Sequence, residues 1–112
     1  MPTGGMSVYV TMPDGKTGQT FCETLVRERL AACANILDGA RSVYWWQGNL
    51  ESATETVCLF KTTRALYPSF QERAKALHPY ETPCIVAWPL EAGNKNFLDW
   101  IGAETASPAP SE

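Results

Sequence analysis

The sequence has little positive charge, and what it has is dispersed. Among 112 residues there are 9 Lys and Arg against 12 Asp and Glu, which gives a formal net charge of −3. The nine basic residues are scattered singly along the chain. Proteins that bind nucleic acid neutralise phosphates with clustered Lys and Arg. The sequence therefore argues against a nucleic-acid-binding function.

Long apolar runs and targeting signals are also missing. No apolar stretch approaches the ~20 residues that a membrane-spanning helix needs. The first six residues, Met-Pro-Thr-Gly-Gly-Met, contain neither the positive region nor the apolar region of a secretory signal peptide. We therefore expect a cytoplasmic protein that does not associate with a membrane.

Cysteine is present, but not in the spacing of a metal or redox motif. The four cysteines, Cys22, Cys33, Cys58 and Cys84, are too far apart in sequence to form a CxxC pair. All four stand in apolar surroundings. The sequence predicts reduced, buried thiols that act as small apolar side chains rather than disulfides.

Sequence signatures of catalysis are absent as well. There is no Gly-rich phosphate-binding loop, no Ser-His-Asp ordering and no Cys-His motif. A single histidine, His78, stands near Glu81, and two such residues do not form a catalytic constellation. The sequence therefore predicts a protein that is not an enzyme.

Hydrophobic periodicity predicts one domain with the element order β-α-β-β-α-β and a short C-terminal helix. Residues 1–104 are interpreted as the single domain, and the small, proline-bearing residues 105–112 as a disordered tail. The predicted elements are a strand at 7–12, an amphipathic helix from about 17 to 34–35, an extended segment at 36–47, a strand at 55–63, a helix at 66–77, a strand at 84–88 and a helix at 96–101. We expect a bulge at Asp38-Gly39 and a hairpin turn at Gly48-Asn49.

This order is typical of the α+β, ferredoxin-like βαββαβ sandwich. Right-handed crossovers would place both main helices on one face of the sheet. The strands nevertheless carry apolar residues on both faces, including Tyr44, Trp45 and Trp46 in a row. A bare apolar sheet face of that size is not normally left in contact with water. The sequence therefore predicts self-association through the sheet. In the C-terminal helix, Phe97, Trp100 and Ile101 are expected to face inward.

The only histidine of the chain stands in the stiff segment His78-Pro79-Tyr80-Glu81-Thr82-Pro83. A residue that precedes a proline is driven out of the helical region, so the backbone is extended at both ends of this segment. A lone imidazole in such a loop is a candidate metal ligand or proton carrier. The alternative is a histidine at a helix C-terminus, where the helix dipole favours a cation.

Several motifs in a fixed order resemble the CutA divalent-cation-tolerance proteins. The resemblance covers about residues 7 to 102, and because the motifs occur together it is specific. The motifs are Leu25 to Ile36 (LVRERLAACANI), Ser42 to Gly48 (SVYWWQG), Glu55 with Lys61-Thr62-Thr63, His78 to Pro83 (HPYETP) and Phe97 to Ile101 (FLDWI).

The resemblance implies a ferredoxin-like subunit in a tight homotrimer, similar in plan to the PII signalling proteins. It also implies a role in tolerance of divalent metals, with Cu²⁺ as the ligand considered first and His78 as the metal-binding residue. Some bacterial members carry a cysteine near the end of the first strand and a second histidine before His-Pro-Tyr. Here these positions are Val10 and Leu77, so only His78 of that set is present.

Two other functions are compatible with the same residues. One is a PII-like sensor that binds a small anionic or planar ligand in clefts between subunits, with Lys61, Trp46, Tyr80 and Glu81 as ligand-binding residues beside His78. The other is a trimeric scaffold that recruits a protein partner. Lys61, the one charge inside an apolar strand, is also expected to form a salt bridge.

Overall fold

The computed structural model describes residues 4–106, which form one antiparallel sheet and three helices. The strand order is β2-β3-β1-β4, with antiparallel pairing throughout. This is the expected α+β, ferredoxin-like topology with an added C-terminal helix, so the prediction of fold class is confirmed. The elements are β1 Gly5–Met12, α1 Gly15–Arg27, β2 Cys33–Trp46, β3 Asn49–Thr63, α2 Tyr67–Leu77, β4 Ile85–Pro89 and α3 Lys95–Ala106.

The C-terminal helix α3 is longer than the sequence predicts. It continues through Thr105 and Ala106, which the sequence assigns to the tail, while residues 107–112 lie outside the described part of the chain. Ile101 is buried as expected, but Phe97 and Trp100 are 39% and 40% exposed and stack on each other with ring centroids 5.5 Å apart. The expectation that all three face inward is therefore wrong for two of them. No helix in residues 4–106 is long and apolar enough to cross a membrane.

Helix α1 ends earlier than its periodicity predicts because the backbone turns left-handed at Arg29, where φ is 64°. The amide of Leu30 donates to the carbonyl of Leu25, and the amide of Arg29 donates to that of Val26. These two bonds form a Schellman motif, which closes a helix. Cys33 is therefore the first residue of β2 and not the last of a helix, which corrects the predicted boundary at residues 34–35.

The core fills the space between one face of the sheet and helices α1 and α2. Phe60 of β3 is fully buried, and its ring meets Phe21 and Phe70 edge to face with centroids 5.9 and 4.9 Å away. Edge-to-face packing brings the positive ring edge against the negative face. Alternating residues of β1 complete the cluster with Val8, Val10 and Met12, all fully buried.

The opposite face of the sheet remains partly uncovered. Leu37, Val86 and Trp88 are 49%, 51% and 46% exposed, and their strand parity places them away from the core. Helix α3 packs against β1 and β3, but Ile101, its most buried residue, is not part of the core cluster. The two-sided apolar pattern read from the sequence is thus present in the folded chain.

Strands β2 and β3 form a hairpin that extends beyond the other two strands. Residues 41–46 and 49–54 pair only with each other. The register shifts between Leu37 and Ala40, next to Gly39 with φ 82°, so the predicted bulge is confirmed. The turn lies at Gln47-Gly48, where both φ values are positive as in a type I′ turn. This is one residue earlier than predicted.

Candidate functional site

His78 ends helix α2, and its ring is buried against the sheet. Nε2 lies 2.8 Å from the carbonyl oxygen of Thr11, and the amide of Tyr80 donates to Nδ1 at 3.1 Å. Because a carbonyl only accepts and an amide only donates, Nε2 carries the proton and Nδ1 presents its lone pair to Tyr80. The ring also meets Phe21 edge to face at 5.7 Å. Both nitrogens of the neutral imidazole therefore have protein partners.

Burial lowers the pKa of His78 below its usual value of 6.5, although the Thr11 carbonyl and the charge of Glu55 act in the opposite direction. The unfolded chain then binds more protons than the folded chain between the folded pKa and about 6.5, so stability rises with pH in that window. We expect the free energy of unfolding to be largest above pH 6.5 and to fall as the pH drops towards the folded pKa.

Urea titrations between about pH 5 and 8 measure this dependence. The matched variant is His78→Gln, which removes the only histidine of the chain. Its difference in stability from the native protein should shrink as the pH falls. Other groups also titrate, such as Asp14 and Glu28 with their lowered pKa values. Because both proteins contain them, their contributions to the pH dependence cancel in the difference. A difference that stays constant or grows in acid would contradict the assignment of a neutral, buried imidazole.

Tyr80 and Glu55 form a hydrogen bond between the segment after α2 and strand β3. The hydroxyl of Tyr80 donates to Oε2 of Glu55 at 2.8 Å, and only 9% of Glu55 is exposed. Burial raises the pKa of Tyr80, and the hydrogen bond to Glu55 and the nearby charges of Glu55 and Asp14 raise it further. The phenol therefore remains protonated and acts as a donor. A chain of bonds links the Thr11 carbonyl, His78, Tyr80 and Glu55.

A cleft of about 850 Å³ opens beside this chain, between the β2–β3 hairpin and the segment after α2. Small-molecule sites usually have volumes of roughly 300–1,000 Å³. The walls contain hairpin aromatics, one face of β1 and residues of the segment from Pro79 to Cys84. Its lining residues are Tyr9, Thr11, Ser42, Val43, Tyr44, Trp45, Trp46, Glu55, Pro79, Tyr80, Glu81, Thr82 and Cys84.

The structure brings three of the predicted ligand-binding residues together at this cleft: Trp46, Tyr80 and Glu81. His78 lies behind the wall rather than in the lining. Lys61 is six residues from Glu55 along β3, about 20 Å at ~3.3 Å per residue. It does not line the cleft, and none of the ion pairs in residues 4–106 includes Lys61.

Glu55 is the residue of this site that the sequence did not single out. The sequence marked it as one element of a family motif and as a residue too far from Lys61 on the same strand to pair with it. A signal was available, since an acidic residue begins an otherwise β-rich run and is followed by apolar residues on both faces of the strand. The sequence does not show that Tyr80 is the hydrogen-bond partner of Glu55. The two residues are 25 positions apart, and the hydroxyl reaches the carboxylate because the segment after α2 lies beside β3 in the fold.

The cysteines are all free thiols. Cys22 and Cys58 are buried as expected, whereas Cys84 is exposed at the edge of the cleft. Burial and the neighbouring charge of Glu55 raise the pKa of Cys84, and burial raises that of Cys33. Because the thiolate is the nucleophile and the metal ligand, neither thiol is activated for these roles.

The described residues offer no chelating set for a metal ion. Residues 4–106 contain no group of three or more His, Cys, Asp and Glu side chains that could hold one. Structural and catalytic zinc sites use three or four protein ligands. Residues 4–106 of one chain do not provide such a set, and His78 could serve as a ligand only after giving up one of its two hydrogen bonds.

Comparison with known proteins gives one consistent family. Residues 6–104 match the family described as CutA1 divalent ion tolerance protein. The divalent-cation tolerance protein CutA of Thermus thermophilus is 46% identical over 98 residues, which cover 88% of this chain and 95% of that protein. A solved structure of the Thermus thermophilus protein has a TM-score of 0.87 at 44% identity and covers 90% of this chain and 98% of its own.

Two further relatives correct the expected location. The rice protein, named CutA 1, chloroplastic, is 38% identical over 88% of this chain and 55% of its own length. The Archaeoglobus fulgidus protein, whose structure has a TM-score of 0.87 at 38% identity and covers 90% of this chain and 98% of its own, is described as periplasmic. Relatives of this fold are thus assigned to other compartments, and the prediction of a cytoplasmic location is contradicted.

Proposed function

The chain belongs to the CutA1 divalent ion tolerance family, and from that premise we propose that it acts in the response to divalent metal ions by binding rather than by catalysis, as a homotrimer. The family match over residues 6–104 carries this proposal. The non-catalytic part is supported by the site itself, since the His78 ring has both nitrogens engaged and the Cys84 thiol has a raised pKa.

Assembly is supported by the two apolar surfaces that one subunit leaves open. The first is the second face of the sheet, with Leu37, Val86 and Trp88. The second is the hairpin, where Val43 and Trp45 are 68% and 73% exposed. An isolated two-stranded hairpin is at best marginally stable in water. Packing against neighbouring subunits would bury both surfaces and hold the hairpin.

Copper is the first candidate for the metal, and we propose that it is bound only by the assembled protein. One subunit lacks a chelating set within residues 4–106, so a site with three or more ligands would need side chains from at least two subunits. His78 remains a candidate ligand in that site. Since both its nitrogens are hydrogen-bonded within one subunit, ligation there would require the segment after α2 to rearrange.

Calorimetry with Cu²⁺ and Zn²⁺ tests the proposal. We expect binding to the native assembly and at least a tenfold loss of affinity in a dissociated variant, because ligands from two subunits no longer meet. The variant His78→Gln decides the role of the histidine. An unchanged affinity would remove His78 from the site, and a tenfold loss would establish it as a ligand. Equal affinity of the assembly and the dissociated variant would contradict an intersubunit metal site.

A second candidate function, the sensing of a small ligand, is favoured by the cleft beside Tyr80. The cleft has the volume of a small-molecule site and combines aromatic walls with a few polar groups. The sequence-based hypothesis allows an anionic or a planar ligand. The aromatic walls suit a planar one, whereas Lys61, the cation invoked for an anion, lies elsewhere on β3.

A further inference from the structure

The carboxylate of Glu55 is the most deeply placed charge of the cleft. Only 9% of the residue is exposed, and within the described part of the chain its one hydrogen bond is the one that Tyr80 donates to Oε2. Within residues 4–106 no donor reaches its second oxygen, and no Lys or Arg forms an ion pair with it. A buried carboxylate normally has a cation or several donors around it. Among the described residues, Glu55 therefore presents to the cleft a carboxylate that has one donor and no paired cation.

The rest of the lining increases the negative potential. Glu81 also faces the cleft, and no Lys or Arg is among the lining residues. The charge of Asp14 is close enough to contribute to the raised pKa of Tyr80. Like charges in a cleft with low-dielectric walls add to one another and concentrate counter-ions. An anionic ligand would be repelled here, and a cationic one attracted.

The walls are aromatic, which selects among cations. Tyr44, Trp46 and Tyr80 line the cleft, and the faces of such rings attract ammonium groups through their quadrupoles. A Ca²⁺ ion instead takes six to eight oxygen ligands, and residues 4–106 contain no group of even three His, Cys, Asp and Glu side chains that could hold a metal ion. One carboxylate surrounded by aromatic rings suits a cation that carries alkyl groups.

We propose that this cleft binds a small organic ammonium ion, with its charged head at Glu55 and its alkyl groups against Trp46 and Tyr44. The inference rests on the proposed role of the cleft as a ligand site and names the chemical class of the ligand. Glu55 supplies the charge, Tyr80 fixes the orientation of its carboxylate, and the hairpin aromatics supply the apolar contact.

Tryptophan fluorescence tests this directly, because Trp45 and Trp46 lie in the cleft. The probes are tetramethylammonium and butylammonium, compared with butyrate and butanol at constant ionic strength. We expect both ammonium ions to change the emission saturably, with affinities at least tenfold higher than those of butyrate and butanol. Stronger or equal binding of butyrate or butanol would overturn the inference, and so would the absence of saturable binding by both ammonium ions.

The variant Glu55→Gln removes the charge but keeps an oxygen that accepts the Tyr80 hydroxyl. We expect it to bind butylammonium at least tenfold more weakly. The matched control is Glu72→Gln, an exposed acidic residue of α2 outside the cleft, which should bind as the native protein does. Equal affinities of the Glu55→Gln and Glu72→Gln variants would contradict the assignment of Glu55.

The same titration distinguishes a free ligand from a basic side chain supplied by a second copy. If such a side chain fills the cleft, butylammonium will bind a dissociated variant but not the native assembly, and the proposal of a free ligand fails. The outcome is independent of metal binding. If calorimetry shows no Cu²⁺ binding while the ammonium ions still bind, only the metal proposal is refuted. If butyrate binds instead of the ammonium ions, the cleft still binds a ligand, but the proposed class of ligand is wrong.

Discussion

Replacing Trp88 with glutamate is expected to reduce the mass in sedimentation equilibrium from about 37 kDa, three times the 12.3 kDa of one chain, to that of a monomer. Trp88 is 46% exposed on the second sheet face of a lone subunit. If this face is buried between subunits, each Trp88→Glu substitution places a carboxylate there without a cation. The effective penalty for burying such an ion is several kcal/mol, and a closed trimer would incur it three times.

Two further variants make the result specific. Trp88→Phe keeps an apolar ring and should sediment as the native protein does. Ala76→Glu adds the same charge on an exposed position of α2, on the helical side of the molecule, and should also remain assembled. Circular dichroism should show that all three variants are folded. A native protein of about 12 kDa would refute the trimer, and a fully assembled Trp88→Glu protein would show that the interface lies elsewhere.

The fold could be predicted from the sequence because its main determinants are local. Alternation indicated β1, and a short apolar run before Pro89 indicated β4. The four-residue spacing of Phe70 and Ala74 indicated α2, and Asp38-Gly39 indicated the bulge. The end of α1 could not be predicted in the same way. Cys33 continues the helical spacing of Cys22 and Leu30, and the chain leaves the helix at Arg29, which has no sequence signature of a left-handed residue. Glycine is the usual residue at that position.

The site was less predictable, because it is made by contacts between distant residues. The stiffness of the segment from His78 to Pro83 follows from its prolines. The sequence placed this segment at a cleft between subunits, whereas the cleft seen in the structure lies within one chain. The hydrogen bonds of His78 to Thr11 and Tyr80 span 67 and 2 residues. Only the bond to Thr11 depends on tertiary structure. It forms because folding buries the His78 ring against β1, where the ring is hydrogen-bonded rather than free to bind a metal. Sequence spacing alone does not distinguish these two states.

Replacing Phe60 with alanine is expected to lower the free energy of unfolding by about 3–5 kcal/mol. Phe60 is completely buried, and its ring contacts the rings of Phe21 and Phe70. The substitution removes both edge-to-face pairs and leaves a cavity that the neighbouring strands cannot close. Since typical domains are stable by only about 5–15 kcal/mol, the variant should be close to unfolding at physiological temperature.

The matched variant Phe60→Leu separates cavity formation from loss of the aromatic pairs, because leucine fills most of the space without a ring. Its loss of stability should be clearly smaller than that of Phe60→Ala. Urea unfolding at one fixed protomer concentration measures both, since the stability of an assembled protein depends on concentration. A loss below about 1 kcal/mol for Phe60→Ala would mean that the core relaxes around the site. Because α1, α2 and β3 meet at this ring, such relaxation would contradict the packing that holds His78 and the cleft in place.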